Sequence, residues 1–453
     1  MRYFKTTFLW IIILAAVGGY TFIDLKSTKI AEQKKEEDTR LLPFTADQVL
    51  AISIRKEAGN MDLERWEKGW KIVSPINTMA KNEAVEKFLN EVTASRNDSE
   101  YVMDTNPTPE RLAEFGLTNP PVRVTLKVGK ELKGHTILFG NRAPTMGVAY
   151  VQLEGRKPVY RVLADTRSEA DKDVYYFRDK SVLKLNPVMV DQVSIGRPGS
   201  SMLFKMNDSG HWNIEKPEKA RADQKKLFEL MGRFANGEVK EFIAEKKENL
   251  ASYGLDKPAT TLMFWLSGDS SPTIKINIGN RSPAKRGYFC SMSDRENIFL
   301  IEEKIVDSIP RIVDEMRSRE MWLFDNSKLK RLEVRNGGKS VVLVKDAENE
   351  WRKGNIKGGK ADFNMVNDFL EELKTFDIKE FVSGDLRNLR QYGLDPAQMQ
   401  VQFWTEDSAV PITLNIGKTN PAGYVYAFTT SEKSVLALEE RIIRVVETYL
   451  KDL

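Results

Sequence analysis

The sequence predicts an α+β fold with three tandem homologous domains, each a mainly antiparallel sheet with two or three helices, after one N-terminal transmembrane helix. Three sequence landmarks recur with one period of about 140 residues, the size of an ordinary domain. Within each repeat, strand-like runs joined by short turns are interrupted by two helical patterns, as in α+β domains. An uncharged apolar run, residues 8–23, precedes the first repeat.

Composition excludes several classes of protein. The 453 residues include 69 Lys+Arg and 65 Asp+Glu, and these charges are interspersed, which argues against a dedicated nucleic-acid binder. A mean hydropathy of -0.42 excludes a polytopic membrane protein. One cysteine, Cys290, excludes an intrachain disulfide framework and a cysteine-rich metal site. Two histidines, His135 and His211, leave little material for a histidine metal site or a catalytic triad.

The apolar run near the N-terminus predicts a membrane anchor. Residues 8–23 follow Arg2 and Lys5 and are just long enough for a tilted helix across about 30 Å of hydrocarbon. A cleaved signal peptide is the alternative, with Ala16 and Gly18 as small residues for the cleavage site. Because apolar residues continue beyond them, we favour an uncleaved anchor.

Charge does not settle the orientation of this signal anchor, which we assign to residues 1–23 with a short N-terminal tail. Arg2 and Lys5 precede the apolar run, whereas more Lys and Arg residues follow it. The following segment, residues 24–42, mixes those cations with acidic residues and has no apolar stripe. We therefore interpret it as a charged tether.

The body of the chain repeats one unit three times. The first landmark is a Gly-Leu pair after an aromatic residue, at Gly116, Gly254 and Gly393, which are 138 and 139 residues apart. The other landmarks have similar spacing and are a strand ending at Gly140, Gly279 and Gly417, and a strand-opening tryptophan at Trp70, Trp212 and Trp351. The predicted domains are residues 43–186, 187–325 and 326–453.

The first half of each repeat predicts three strands and an amphipathic helix. The opening strands read AISIRK, QVSIGR and RLEVRN, and a second strand and the tryptophan strand follow. A helix comes next, because apolar residues fall at +4, +7, +8 and +11 counted from Lys81, Asp223 and Asp362. Asp223 and Asp362 are predicted N-caps, with Asn82 in that role in the first repeat. The predicted buried face consists of Val85, Phe88, Leu89 and Val92; Leu227, Leu230, Met231 and Phe234; and Val366, Phe369, Leu370 and Leu373.

The second half of each repeat predicts a short helix, three strands and a closing helix. The short helix leads to the Gly-Leu landmark, where glycine fits a left-handed helix stop. The strands read VRVTLKV, TILFG and AYVQLEG in the first repeat, TLMFWL, IKINIG and YFCSM in the second, and VQFWTE, ITLNIG and YVYAFT in the third. The closing helices include KIVDSIPRIVDEM and EERIIRVVETYL.

No motif establishes a catalytic, cofactor or metal site. Residues 354–360 read GNIKGGK and match phosphate-loop spacing, but Ala361 stands where a Ser or Thr is needed. The repeat places this segment between the tryptophan strand and the capped helix, so we interpret it as a turn. Asp256 and Asp395 follow Gly-Leu landmarks, and no spacing pairs them with a second carboxylate, so we interpret them as turn residues.

The remaining chemically capable side chains have structural interpretations. His135 and His211 do not recur in the other repeats and are interpreted as surface or strand-end residues. Cys290 alternates with Phe289 in a strand and is interpreted as a small buried or half-buried apolar residue.

The recurring tryptophans divide into two groups. Trp70, Trp212 and Trp351 are predicted core anchors beside the amphipathic helix. Trp265 and Trp404 match each other, with a lysine in the first repeat. Core or edge packing is the favoured interpretation for both, and the alternative is an exposed tryptophan that stacks on a sugar or a protein partner. These two are the only candidate interaction residues that the sequence offers.

The landmarks together resemble the bacterial domain-of-unknown-function 4340 family, over almost the whole chain beyond the anchor. The resemblance is carried by residues 42–44 entering the first strand, the W-x-I strand, the YGLD-x-P box, the "IG" strand and residues 177–180, FRDK. The first repeat departs from the box, with Phe115 and Thr118 for Tyr and Asp. The second offers 319–320, RE, where the first has 178–179, RD.

The resemblance implies an address and a partner. Members are anchored at the bacterial inner membrane, and their genes often lie beside an ABC-2-type permease, its ATPase and a gliding-motility-type auxiliary protein. We therefore expect a single-pass protein, held by residues 8–23, with its bulk on the periplasmic side. We expect it to be an accessory scaffold or substrate-handling subunit of an export system, without enzymatic activity, cofactor or nucleic-acid partner.

Two other function classes stay open. An envelope glycan- or lipid-binding protein without a transporter partner predicts exposed aromatic side chains at Trp265 and Trp404. An enzyme predicts a deep polar pocket with convergent ionisable groups in one repeat only.

Overall fold

The computed structural model describes residues 39–452 except 68, 145–146, 323–324 and 433. The predicted anchor, residues 1–23, and residues 24–38 of the predicted tether lie outside this described part. Among the helices of the described part, none is long and apolar enough to cross a membrane.

Three antiparallel sheets form the body of the described chain, one in each repeat, which confirms the predicted mainly antiparallel architecture. The first contains β1 (Val49–Lys56), β2 (Met61–Trp66), β3 (Gly69–Ser74), β4 (Thr78–Met79), β5 (Val102–Asp104), β6 (Val122–Val128), β7 (Lys133–Arg142), β8 (Val148–Leu153) and β9 (Val159–Leu163). The second contains β10 (Val190–Arg197), β11 (Ser200–Met206), β12 (Trp212–Lys216), β13 (Ala220–Arg221), β14 (Glu241–Ala244), β15 (Thr260–Leu266), β16 (Ile274–Ser282), β17 (Gly287–Met292) and β18 (Ile298–Glu302). The third contains β19 (Leu329–Asn336), β20 (Lys339–Lys345), β21 (Trp351–Lys353), β22 (Glu380–Ser383), β23 (Met399–Thr405), β24 (Ile412–Thr419), β25 (Tyr424–Thr429) and β26 (Val435–Glu439).

The helices of the described residues are shorter and more broken than the sequence predicts. The α-helices are α1 (Asn82–Thr93), α2 (Pro109–Glu114), α3 (Ala164–Ala170), α4 (Val174–Phe177), α5 (Gln224–Ala235), α6 (Glu303–Val306), α7 (Phe363–Lys374) and α8 (Arg441–Asp452). The 3-10 helices are Ala46–Gln48, Pro187–Met189, Leu250–Tyr253, Val313–Met316, Asn326–Lys328 and Leu389–Tyr392. The first repeat has four α-helices instead of two or three. The closing helix predicted in the second repeat is reduced to α6, because Pro310 disfavours helical backbone before it.

The strand order is the same in all three sheets, except that the third, with eight described strands, has no counterpart of the edge strands β4 and β13. It is β4-β3-β2-β1-β6-β7-β8-β9-β5 in the first, β13-β12-β11-β10-β15-β16-β17-β18-β14 in the second and β21-β20-β19-β23-β24-β25-β26-β22 in the third. The opening strand therefore lies inside each sheet, and the strand after the amphipathic helix crosses to the far edge. That far-edge strand and its neighbour are absent from the sequence prediction. Both are short, and β18 and β26 are buried at four consecutive positions, so no alternation marks them.

The amphipathic helix covers one face of each sheet as predicted. All twelve residues of its predicted face are buried. The strand-opening tryptophans Trp70, Trp212 and Trp351 are 0%, 2% and 3% exposed, which confirms them as core anchors. Each repeat has its own apolar core between helix and sheet.

Helix capping matches the prediction in two repeats. The carboxylates of Asp223 and Asp362 accept hydrogen bonds from backbone N–H groups in the first turns of α5 and α7. The predicted Asn82 cap is wrong, because Lys81 holds the cap position of α1. Asn82 Oδ1 instead accepts the backbone N–H of Trp70 at 2.8 Å, which ties the helix to β3.

The two glycine landmarks meet in space. Gly116, Gly254 and Gly393 have φ of 69°, 67° and 70°, which confirms the predicted left-handed helix stop. The strand-ending glycine approaches the residue before that stop, since a Cβ on Gly140 would lie 2.1 Å from the carbonyl oxygen of Phe115. The equivalent separations are 2.2 Å for Gly279 and Tyr253, and 2.3 Å for Gly417 and Tyr392.

The chain divides into two compact units, one ending at Lys180 and one beginning at Ser181. The second unit holds the second and third sheets. Its first residues pair with the segment after α5, since the backbone N–H of Val182 donates to the carbonyl of Gly237 at 3.0 Å. The domain limits given by the sequence stay predictions.

Candidate interaction surfaces

The two candidate interaction residues from the sequence lie on the second and third sheets, on the face turned away from the amphipathic helix. Trp265 on β15 and Trp404 on β23 are half-buried and lie on separate sheets. They occupy equivalent positions, because Trp265 is paired with Gln192 and Trp404 with Arg331, both on the opening strand. Their role as interaction residues stays a prediction.

Trp404 is part of a charged cluster on this face. The guanidinium of Arg331 lies 4.7 Å from the Trp404 ring centroid. Arg331 Nη2 also donates to Glu333 Oε2 at 2.8 Å, and Arg335 Nε donates to Glu333 Oε1 at 2.6 Å. Burial alone would raise the pKa of the Glu333 carboxyl, but the two arginines outweigh it and hold that pKa below its usual value. Glu333 is therefore an ionised, 5% exposed group that fixes both arginines.

A buried ion pair joins the second and third repeats within the second compact unit. Arg317 Nη2 lies 3.2 Å from Glu432 Oε2 and 3.0 Å from Ser434 Oγ. The guanidinium carbon of Arg317 lies 3.6 Å from the Phe381 ring centroid. Arg317 comes from the end of the second repeat, and its three partners belong to the third. We call this set of four residues the Arg317 junction.

Two further arginines of the second repeat extend the contact. Arg221 Nε lies 2.9 Å from Glu432 Oε1, so one carboxylate serves two guanidinium groups. Arg319 Nη1 donates to the backbone carbonyls of Ile378 and Lys379 at 2.6 and 2.5 Å. Together these contacts make the second and third repeats one body.

The structure corrects one equivalence drawn from the sequence. Arg178 and Arg317 each form an isolated bridge with the alanine just before the amphipathic helix of their repeat. They are therefore equivalent, and the match of residues 319–320 with 178–179 is wrong by two positions. The 139-residue period relates Arg178 to Arg317 and would have identified the arginine. Glu432 lies beside no landmark, so the sequence held no signal for it.

The structure confirms the turns that were predicted at residues 354–360 and at the two aspartates after the Gly-Leu landmarks. Residues 354–360 connect β21 to α7, with Gly354 at φ 76° and Lys360 bridged to Arg352. Asp256 and Asp395 are exposed, and Asp395 lies 3.8 Å from an exposed arginine.

The histidines and the cysteine also match their interpretations. His135 is half-buried at the start of β7 with its ring 5.0 Å from that of Phe44, and burial lowers its pKa. His211 is exposed in the turn before β12. Cys290 is fully buried, which raises the pKa of its thiol. Among the described residues, no group of three or more His, Cys, Asp or Glu is placed to hold a metal ion.

Comparison with known proteins assigns the repeats to one family model. The model described as Domain of unknown function (DUF4340) matches residues 70–212, 212–387 and 354–453. Together these matches run from residue 70 to residue 453, which is most of the chain, and they are consistent with three tandem copies. No curated protein and no solved structure matches the chain.

Proposed function

We propose, from the premise that the chain belongs to the family described as Domain of unknown function (DUF4340), that it is an accessory subunit of an ABC-2-type export system. In this proposal residues 8–23 anchor it in the bacterial inner membrane, and the repeats lie on the periplasmic side. The protein binds and positions partners and carries out no reaction itself. The permease, its ATPase and the gliding-motility-type auxiliary protein are partners by family resemblance.

The observation that carries the proposal is the Arg317 junction. Arg317 and Glu432 are 5% and 4% exposed, so their mutual orientation is held by desolvated, charge-assisted hydrogen bonds. Two sheets held as one body present their polar faces in a fixed arrangement, as a scaffold requires. A membrane tether would keep that scaffold near the permease and raise its effective concentration.

The polar faces supply a candidate docking surface for the partner. Trp265 and Trp404 lie at equivalent places on the two joined sheets and are partly accessible. Aromatic and arginine side chains contribute strongly to protein–protein binding, and Trp404 lies directly against Arg331. This pattern supports docking of one partner along both sheets.

The test is affinity capture of the anchored, C-terminally tagged full chain from native membranes after brief crosslinking. We expect the permease and its ATPase in near-stoichiometric amounts by mass spectrometry. The double variant Trp265→Ala, Trp404→Ala should lose them. The matched control is Trp66→Ala, which removes a 54% exposed tryptophan of the first sheet and should retain them. Capture of the chain alone would overturn the proposal.

The second candidate function is an envelope glycan- or lipid-binding protein without a transporter partner. The half-buried Trp265 and Trp404 favour it, because partly accessible indole rings on a sheet can stack on a sugar. The same capture experiment separates the two candidates, since this one predicts envelope polymer and no permease.

A further inference from the structure

A cleft of about 820 Å³ lies in the second compact unit, where the second repeat meets the third. It is bounded by the β11–β12 turn, the start of α5, the segment after Arg317, and Asp377 of the third repeat. Trp212 and Phe228 line it. We call it the Trp212 cleft.

Trp70, the equivalent tryptophan of the first repeat, has the hydrogen-bond partner that Trp212 lacks. Trp70 Nε1 donates to Glu86 Oε1 at 2.7 Å, and Arg65 pairs with the same carboxylate at 3.0 Å. The guanidinium of Arg65 also lies 4.6 Å from the Trp70 ring centroid. The first repeat therefore satisfies its buried indole N–H with its own side chains.

The second repeat lacks both partners. The helix alignment places Phe228 at the position of Glu86, and strand pairing places Met206 opposite Trp212, as Arg65 lies opposite Trp70. Trp212 is 2% exposed, and its Nε1 is buried without a hydrogen-bond partner. Trp70 Nε1 reaches the helix position that Phe228 occupies here, so the same ring orientation in the second repeat would direct the Trp212 nitrogen towards Phe228.

Arg221, which also lines this cleft, carries a second unsatisfied donor. Arg221 Nε binds Glu432, and Nη2 donates to the carbonyl of Glu320, but Nη1 is buried without a partner. A buried donor without an acceptor costs free energy, and two such donors on residues that line one cleft favour a ligand that brings acceptor oxygens.

The rest of the lining selects the class of ligand. The positive charge of Arg221 is already matched by Glu432. The other charged side chains of the lining also balance, with three cations and three acids: Lys225, Lys226 and Arg319, and Asp223, Glu320 and Asp377. A full anion is therefore not required. The lining also includes the carboxamides Asn207, Asn213 and Gln224, which donate and accept hydrogen bonds.

The geometry points to a saccharide as the ligand of the Trp212 cleft. A sugar ring carries hydroxyl oxygens that can accept from Trp212 Nε1 and Arg221 Nη1 once the side chains that bury these two nitrogens move aside, and hydroxyl protons that donate to carboxylates and amides. The volume lies within the range of small-ligand sites, about 300–1,000 Å³. This inference goes beyond the proposed export function, because the purified chain would bind the sugar with no permease present, and it differs from the second candidate in placing the sugar at Trp212 and not at Trp265 and Trp404.

The test is titration of the purified full chain, in detergent, with chitotriose, maltotriose and trigalacturonate in separate experiments. Isothermal calorimetry measures affinity, and the indole N–H signal of Trp212, assigned with Trp212→Phe, reports on the site. We expect at least one trisaccharide to bind and to shift that signal.

The decisive variant is Phe228→Glu, which gives the second repeat the residue of the first. Its carboxylate would occupy the cleft and accept from Trp212 Nε1, so saccharide affinity should fall by about tenfold or more. The matched control is Asn367→Glu, which introduces the same residue at the equivalent position of α7, where the side chain is exposed, and it should leave affinity unchanged. Thermal unfolding of each variant verifies that it is folded.

Three results would overturn the inference. One is that none of the three trisaccharides binds the wild-type chain. Another is that a trisaccharide binds equally well to Phe228→Glu. The third is that inorganic phosphate shifts the Trp212 signal while no sugar does, since that identifies an anion site. None of these readouts depends on capture of a permease, so failure here and failure of the proposed function are distinguishable.

Discussion

Arg317 Nη2 and Glu432 Oε2 lie 3.2 Å apart, with side chains only 6% and 5% exposed, although they come from different repeats. Removing one partner of such a pair leaves the other charge buried and unpaired. We expect Glu432→Ala to lower the free energy of unfolding by about 3–5 kcal/mol, measured by denaturant titration.

The control for this prediction is another partner of the same arginine. Glu218 lies 3.2 Å from Arg317 Nη1 but is 52% exposed. Glu218→Ala should cost less than about 1 kcal/mol, because solvent screens the pair. Similar small losses from Glu218→Ala and Glu432→Ala would show that the junction contributes little to stability.

A second prediction concerns the contact between the glycine landmarks. A Cβ on Gly279 would lie 2.2 Å from the carbonyl oxygen of Tyr253, which is a backbone atom and cannot turn aside as a flexible side chain can. Gly279→Ala should therefore destabilise the chain by about 1–3 kcal/mol, since one of the two elements must move. The unfolding midpoint in urea measures the effect.

Gly232 provides the opposite case within the same repeat. It lies inside α5, and a Cβ there would meet nothing within 4 Å. Gly232→Ala should raise stability by about 0.5–1 kcal/mol, because alanine loses less backbone entropy in a helix. A Gly279→Ala midpoint equal to or above that of wild type would show that the close approach at Gly279 does not require glycine.

The sequence predicted those parts of the fold that repeat with a clear period. The same apolar spacing predicts a buried helical face in each repeat, and Val85, Leu227 and Val366, which occupy equivalent positions on it, are all buried. The strands β18 and β26 were missed because both are buried on consecutive positions and carry no alternation. Short apolar runs of this kind do not reveal their secondary structure by periodicity.

The candidate sites were far less predictable than the fold. The Arg317 junction depends on Glu432, which is 115 residues away in the chain and beside no landmark. The Trp212 cleft depends on a missing acceptor, because Phe228 cannot accept a hydrogen bond from Trp212. This difference is recognised only from the structure, where Trp70 donates to Glu86 in the first repeat. Both sites arise where the repeats differ, whereas the fold arises where they agree.

A third prediction concerns pH. The pKa of Glu333 is held below its usual value of 4.5, so its contribution to stability is complete above that pH and is lost as the pH falls through the lower, folded-state value. Glu333→Gln should cost about 1–3 kcal/mol at neutral pH. The difference from wild type should shrink as the pH is lowered below about 4.5.

The measurement is the free energy of unfolding between pH 3 and pH 7 for wild type and variant. Glu348→Gln serves as the control, because Glu348 is exposed in the β20–β21 turn. Its difference from wild type should stay small throughout. A Glu333→Gln difference that does not change with pH would refute the assignment of an ionised, arginine-bound carboxylate.

The last prediction uses the only cysteine of the chain as a reporter of local opening. Cys290 is fully buried on β17, and burial raises the pKa of its thiol, so both access and thiolate formation oppose reaction in the folded state. In a chain carrying Ser209→Cys, the added thiol lies in the exposed β11–β12 turn and should react with a thiol reagent at once. Cys290 should react about a thousandfold more slowly, as expected if an opening of about 4 kcal/mol must come first.

The reaction rate of Cys290 should rise with urea in parallel with unfolding of the second repeat. Equal rates for the two thiols in the absence of urea would mean that β17 is not held in the core.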